Sequence, residues 1–154
     1  MKKNINLIMA VLCAALLFVG CGKEKTANAP KSDYADRIVG EWHCAPEGYD
    51  VDVYVAFDAD GSFDEYQRLG EGRYRRFEGS WSVEKDVLSG VYADGTKWGS
   101  AYTLSFEGDT MTLTANNESA EAIVYTKCEI PAEVKSEAID PLGSETRAEE
   151  IGWF

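Results

Sequence analysis

From residue 38 to residue 130 no stretch of the chain sustains helical spacing, and short β-like runs alternate with turn residues instead. Eight runs can be read: 38–44, 51–57, 62–69, 73–83, 87–92, 97–106, 110–115 and 121–129. The second is the clearest: Val51, Val53, Val55 and Phe57 share one face, and Asp52, Tyr54 and Ala56 the other. The connections are short and rich in Gly, Asp and Asn, as in Asp58-Ala59-Asp60-Gly61 and Glu107-Gly108-Asp109. A parallel pair needs a crossover of a dozen or more residues, so neighbouring strands must run antiparallel. Eight such strands remove their free edges by closing on themselves. The expected fold is therefore all-β, an eight-stranded antiparallel up-and-down barrel over residues 36–130, with its first and last strands side by side.

Charge narrows the function. The chain carries 27 acidic and 15 basic residues, a formal net charge of −12. A nucleic-acid binder needs a basic footprint to displace counterions, so that class is excluded as an expectation. Hydrophobic residues at 45% are enough for a core.

The N-terminus reads as an address. Met1-Lys2-Lys3 is basic, and the apolar stretch 7–20 contains no charge. Its length, roughly 21 Å as helix, falls short of a ~30 Å hydrocarbon core and suits a signal peptide over residues 1–20. Leu17-Phe18-Val19-Gly20-Cys21-Gly22 resembles the bacterial lipobox, with Phe18 standing where Leu is usual. The resemblance implies that Cys21 is lipidated and becomes the mature N-terminus. Residues 21–35 would then be a lipidated Cys and polar tether. Removal of 1–20 takes two lysines and no acid. The mature surface is more acidic still, so lipid rather than a basic patch would hold it to the membrane.

Cys44 and Cys128 remain for the folded part. In an exported protein a disulfide between them is the favoured expectation, with two free thiols as the alternative. Such a bridge would close a loop of roughly 84 residues, for which the chain-entropy model gives about 4–5 kcal/mol. One His, His43, and no Cys-x-x-Cys spacing argue against zinc.

Gly40-Glu41-Trp42 opens the first strand and resembles the Gly-x-Trp signature of lipocalins. In that family the Trp plugs one barrel end beneath a basic residue of the last strand, and Lys127 is the nearest match. Phe57-Asp58-Ala59-Asp60-Gly61-Ser62-Phe63, Gly79-Ser80-Trp81-Ser82-Val83, and the hairpin from Tyr102 to Thr114, behind a lipobox, resemble the lipocalin-like lipoproteins of Bacteroidetes. The resemblance implies a barrel, closure by Gly40, Trp42 and Lys127, and small-ligand binding.

Little in the chain suggests catalysis. Asp58-x-Asp60-Gly61 has its glycine at the wrong position for a calcium loop. Alternation places His43 opposite Cys44, with no nucleophile beside it, so a structural role is expected. No phosphate loop or nucleophile elbow is present, so neither enzymatic activity nor a cofactor is expected. Arg68, Arg73, Arg75 and Arg76 lie among Tyr66, Tyr74 and Phe77. This cluster would hold a carboxylate, phosphate or aromatic group, or else be a solvated hairpin neutralised by Glu65, Glu71 and Glu78. Tyr92, Trp98 and Tyr102 would line a pocket if inward, or form a contact patch if outward. Asp109-Thr110-Met111 resembles an O-glycosylation acceptor of Bacteroidetes. Residues 131–154 form an acidic tail with a short helix near 131–139, either docked on the barrel or frayed.

The reading that follows is a lipid-anchored outer-membrane protein binding a small, partly apolar ligand, with Arg75, Tyr92, Trp98 and Tyr102 at the site. The alternative is a protein-interaction module, an inhibitor or surface adaptor for a basic partner.

Overall fold

A computed structural model describes residues 33–140. The signal peptide, the Cys21 anchor, the tether through residue 32 and the tail beyond residue 140 lie outside the described residues. Eight strands follow one another as β1 (Gly40–Cys44), β2 (Val51–Phe57), β3 (Ser62–Leu69), β4 (Arg75–Glu84), β5 (Val87–Tyr92), β6 (Tyr102–Glu107), β7 (Thr110–Ala115) and β8 (Ala122–Lys127). Each pairs antiparallel with the next, and β8 returns to β1 through Trp42↔Lys127 and His43↔Thr126, closing the barrel. The expected architecture is the one observed.

Two short helices flank it, α1 (Asp33–Ile38) before β1 and α2 (Ala132–Glu137) after β8. α1 shortens the expected first strand, because Ile38 is helical and fully buried rather than extended. Its acidic first turn, Asp33 and Asp36, and basic Arg37 suit the helix dipole. α1 covers one end of the barrel. The Trp42 indole N–H donates to the Ile38 carbonyl at 2.8 Å, and Phe106 packs 5.8 Å from Trp42 and 5.9 Å from Tyr34.

The sixth strand starts at Tyr102, five residues later than the sequence suggests. Lys97 does bridge Val91, and the Trp98 N–H donates to the Gly90 carbonyl at 3.1 Å. The chain then leaves the ladder over 99–101, so that β5 and β6 share only the rungs Val87↔Thr103 and Leu88↔Tyr102. Gly90 makes this possible: the Trp98 ring lies where a Cβ would stand.

The tail is docked as far as residue 140. α2 buries Val134 with Ile130 against the outward ring of Tyr66. Glu41 on β1 clamps it, accepting from the Ile130 N–H at 2.6 Å and from Lys135 Nζ at 2.7 Å. Burial alone would raise the Glu41 carboxyl; these bonds and the lysine charge outweigh it and hold the group below its usual value. Ile139 then extends the free edge of β4, accepting from the Arg76 N–H at 2.9 Å and donating to the Tyr74 carbonyl at 3.0 Å.

One expectation is corrected. Cys44 and Cys128 are free thiols. The β1–β8 register explains why. Continued from Trp42↔Lys127, it sets Cys44 opposite Tyr125 and Cys128 opposite Glu41, whose carbonyl accepts from the Cys128 N–H at 3.1 Å. The two cysteines are thus offset by three positions, roughly 10 Å along the strand, beyond the ~7 Å limit for a bridge. An odd offset also puts them on opposite faces: Cys44 points into the barrel, and Cys128 shares the outer face with Glu41. Burial, with the nearby charge of Asp52, pushes the Cys44 thiol up to about 12.

Two predictions follow from this packing. Unreduced protein should alkylate at both Cys44 and Cys128 after denaturation, while Cys44 stays unmodified in the folded state at pH 8; peptide mass mapping reads both. A Cβ at Gly79, an inward position of β4, would run into the Val91 carbonyl oxygen and lie 2.7 Å from Phe63 Cε1. Gly79→Ala should therefore cost about 1–3 kcal/mol in urea unfolding, as overpacking typically does.

Candidate functional site

Side-chain alternation divides the barrel wall into an inner and an outer set. Three rungs of β1–β4 define the inner set. Gly40, Phe57, Phe63 and Gly79 pair in sequence; so do Trp42, Val55, Glu65 and Phe77; so do Cys44, Val53, Gln67 and Arg75. The first two rungs lie toward the end covered by α1, and the third toward the opposite end.

At the covered end the structure brings Gly40, Trp42 and Lys127 together. Trp42 is 1% exposed, and Lys127 Nζ sits 5.3 Å from its ring centroid. Gly40 has φ +134°, and a Cβ there would stand 3.2 Å from Lys127 Cε. Glycine thus serves both the backbone and the path of the lysine stem. Arg37 of α1 lies 4.6 Å over Phe106 beside them.

Tyr92, Trp98 and Tyr102 all turn inward and are buried. Trp98 meets Phe63 edge to face at 5.2 Å and Tyr102 at 6.3 Å. Tyr92 meets Phe63 at 5.8 Å and Phe77 at 6.2 Å. They form one aromatic wall inside the barrel rather than an outer contact patch.

The arginine cluster disperses. Arg68 donates to Asp52 at 2.9 Å and lies 5.0 Å over Tyr74; Arg76 is 2.7 Å from Asp64 and 3.1 Å from Glu78. Both belong to the outer wall. Arg75 alone shares the inward parity of Phe77, half-buried on the rung of Gln67. Of the four expected ligand-contacting residues, Arg75, Tyr92, Trp98 and Tyr102, all therefore belong to the inner set.

Two inner residues were not anticipated. Glu65 is 1% and Gln67 3% exposed. The sequence reading cast Glu65 as a surface counter-charge to the arginines. Extending the alternation from Phe63 would have placed both inside. Tyr66 between them faces outward and is buried where Ile130 and Val134 fold over it. The inward Tyr102 and Tyr125 hydroxyls titrate well above the ordinary tyrosine range. Burial is the main cause, and the charge of Glu65 adds to it. Both remain protonated phenols at any physiological pH.

The outer wall carries a separate polar network. Asp52 accepts from Tyr74 Oη at 2.6 Å and from Arg68, and shares a 2.6 Å bond with His43 Nε2. His43 stacks on Tyr54 at 4.3 Å. These contacts tie β1, β2, β3 and the β3–β4 connection together, a structural use of the lone histidine. Burial pushes the Asp52 carboxyl up, but the Tyr74 and His43 bonds and the Arg68 charge prevail and hold it below its usual value. A groove of about 550 Å³ also opens in the wall, lined by outward Asp64, Arg76 and Glu78 and by Phe63, Gly79 and Tyr92 of the inner set. Its charged groups already pair with one another.

The lowered Asp52 pKa sets a sign. Its stabilisation is complete above the unfolded-state value and is lost as pH falls through the lower folded-state value. Asp52→Asn should cost on the order of 1–3 kcal/mol at pH 7, and the gap from the unsubstituted protein should close as pH drops below about 4. Urea midpoints across pH test this.

Residues 31–113, more than half of the chain, match the model of a family described as Lipocalin-like domain. No curated protein matches the chain.

Proposed function

Because the chain belongs to the lipocalin-like domain family, we propose that it binds a small, partly apolar ligand inside the barrel while held to the outer membrane by lipid on Cys21. The observation that carries the binding reading is the inner surface running from the Glu65–Phe77 rung toward the end opposite α1. There the aromatic wall of Phe77, Tyr92, Trp98 and Tyr102 meets the buried polar side chains Glu65 and Gln67, with Arg75 at the rim. Apolar walls with a few placed polar groups are what small-ligand sites are made of. A core built for stability alone would favour apolar side chains over a buried carboxylate and a buried amide.

Membrane attachment rests on the lipobox-like Leu17–Cys21 and on the acidic mature surface, which gives anionic headgroups nothing to hold. The aromatic residues that a partner-binding surface would have used are turned inward, so the ligand reading is preferred to an adaptor.

Two experiments test this. Native mass spectrometry of protein purified from the envelope should show an added mass that disappears on denaturation. Arg75→Ala should keep the circular dichroism spectrum and lose that mass, or bind it at least tenfold more weakly; full retention removes Arg75 from the site. Separately, Cys21→Ser should move the protein from the membrane to the soluble fraction. Unchanged membrane association would refute the lipid anchor.

A further inference from the structure

Gln67 is a buried amide without the partner its chemistry demands. It is 3% exposed, on the inward face of β3, and its Nε2 has no hydrogen-bond partner among the described residues. The flanking residue on one side, Val53, and the next inward residue across from it, Cys44, offer no strong acceptor. A buried N–H donor left unmade costs far more than a made bond gains, so such groups are rare unless something else supplies the acceptor. The position is also where a ligand entering past the rim would arrive, one rung above the Glu65–Phe77 pair and on the same rung as Arg75.

The charges nearby decide what kind of acceptor fits. The inner set around Gln67 carries one acidic side chain, Glu65, and one guanidinium, Arg75. Glu65 is two residues from Gln67 on the same face, roughly 6–7 Å along the strand. Arg75 is nearer, the direct cross-strand partner of Gln67. A ligand cation would meet that guanidinium, whereas an oxygen acceptor is compatible with both donors.

We propose that Gln67 is the specificity-determining residue of this site, donating from Nε2 to a carbonyl or carboxylate oxygen on the ligand, so that the barrel selects partly aromatic or apolar molecules bearing such an oxygen over plain hydrocarbons. This rests on the reading that the barrel interior binds a small molecule. The ligand's apolar part packs on Phe77 and Tyr92, and its carbonyl or carboxylate oxygen accepts from Gln67.

The test uses three probes of one skeleton, methyl naphthyl ketone, ethylnaphthalene and naphthoate, titrated by calorimetry into the full-length protein and into Gln67→Leu. Gln67→Met serves as a second variant of similar volume should the leucine change destabilise the fold, which thermal unfolding reports. The expected result is that the ratio of ketone to hydrocarbon affinity falls about three- to tenfold in the variants, the value of one hydrogen bond. Hydrocarbon affinity stays unchanged, and the ratio of naphthoate to hydrocarbon affinity falls likewise. Unchanged ratios overturn the proposal and leave Gln67 bonded to water alone, with the binding cavity intact. If none of the three binds, the cavity itself is refuted, and the role of Gln67 with it.

Discussion

Everything in this barrel follows from the parity that closure imposes. Once β8 pairs with β1 at Trp42↔Lys127, every strand residue is committed to the inside or the outside. A slip of one position would expel Trp42, Val53, Val55 and Phe57, all at most 1% exposed, into water. Burying one such side chain is worth about 1.5–3 kcal/mol, so register is enforced many times over. The seam itself is short, only two paired rungs, and is reinforced from both faces. Inside, Lys127 lies over Trp42. Outside, Glu41 ties β1 to the segment that follows β8 through Ile130 and Lys135.

That parity was largely legible in the sequence, and its failures are instructive. The eight runs and their turns could be read because apolar alternation and Gly or Asp punctuation agree at each hairpin. Gly40, Trp42 and Lys127 could be associated through a family resemblance, and the inward set of Arg75, Tyr92, Trp98 and Tyr102 through residue type. The cysteine pairing failed for a simple reason. Adjacency of the first and last strands is a statement about neighbours, whereas a disulfide needs register and face. Those depend on the stagger accumulated around all eight strands, which no single segment encodes. Glu65 and Gln67 escape the sequence because a glutamate among arginines reads as a surface counter-charge, and burial on both faces of β3 hides the alternation. The outer cover of Tyr66 comes from Ile130 and Val134, more than sixty positions away in the chain. Trp98 was read as a strand residue because the hole that receives it is made by an absence, the missing side chain of Gly90.

The two ends of the molecule are built on different principles. At the covered end α1, Trp42, Phe106, Tyr34 and Arg37 interlock, and the buried Trp42 indole N–H donates to the Ile38 carbonyl. From the Glu65 rung toward the other end, the strands deliver an acid, an amide, a guanidinium and phenols to the interior. Buried polar groups weaken a core unless they are paired, and proteins retain them where they confer specificity or meet a ligand.

A second two-rung ladder of the wall lies between β5 and β6, and above its rungs the gap is filled by Trp98, seated on Gly90 and against Phe63 and Tyr102. A side chain that substitutes for missing backbone pairs can move without unzipping a strand, at the cost of a few contacts. The same tryptophan belongs to the aromatic wall on which a ligand would pack. Wall continuity and ligand contact thus rest on one residue. Substitutions at Gly90 that displace the ring would alter both together, whereas changes at Gln67 would alter recognition alone. In this barrel the shape of the site is set by glycines and its chemistry by the polar residues of β3.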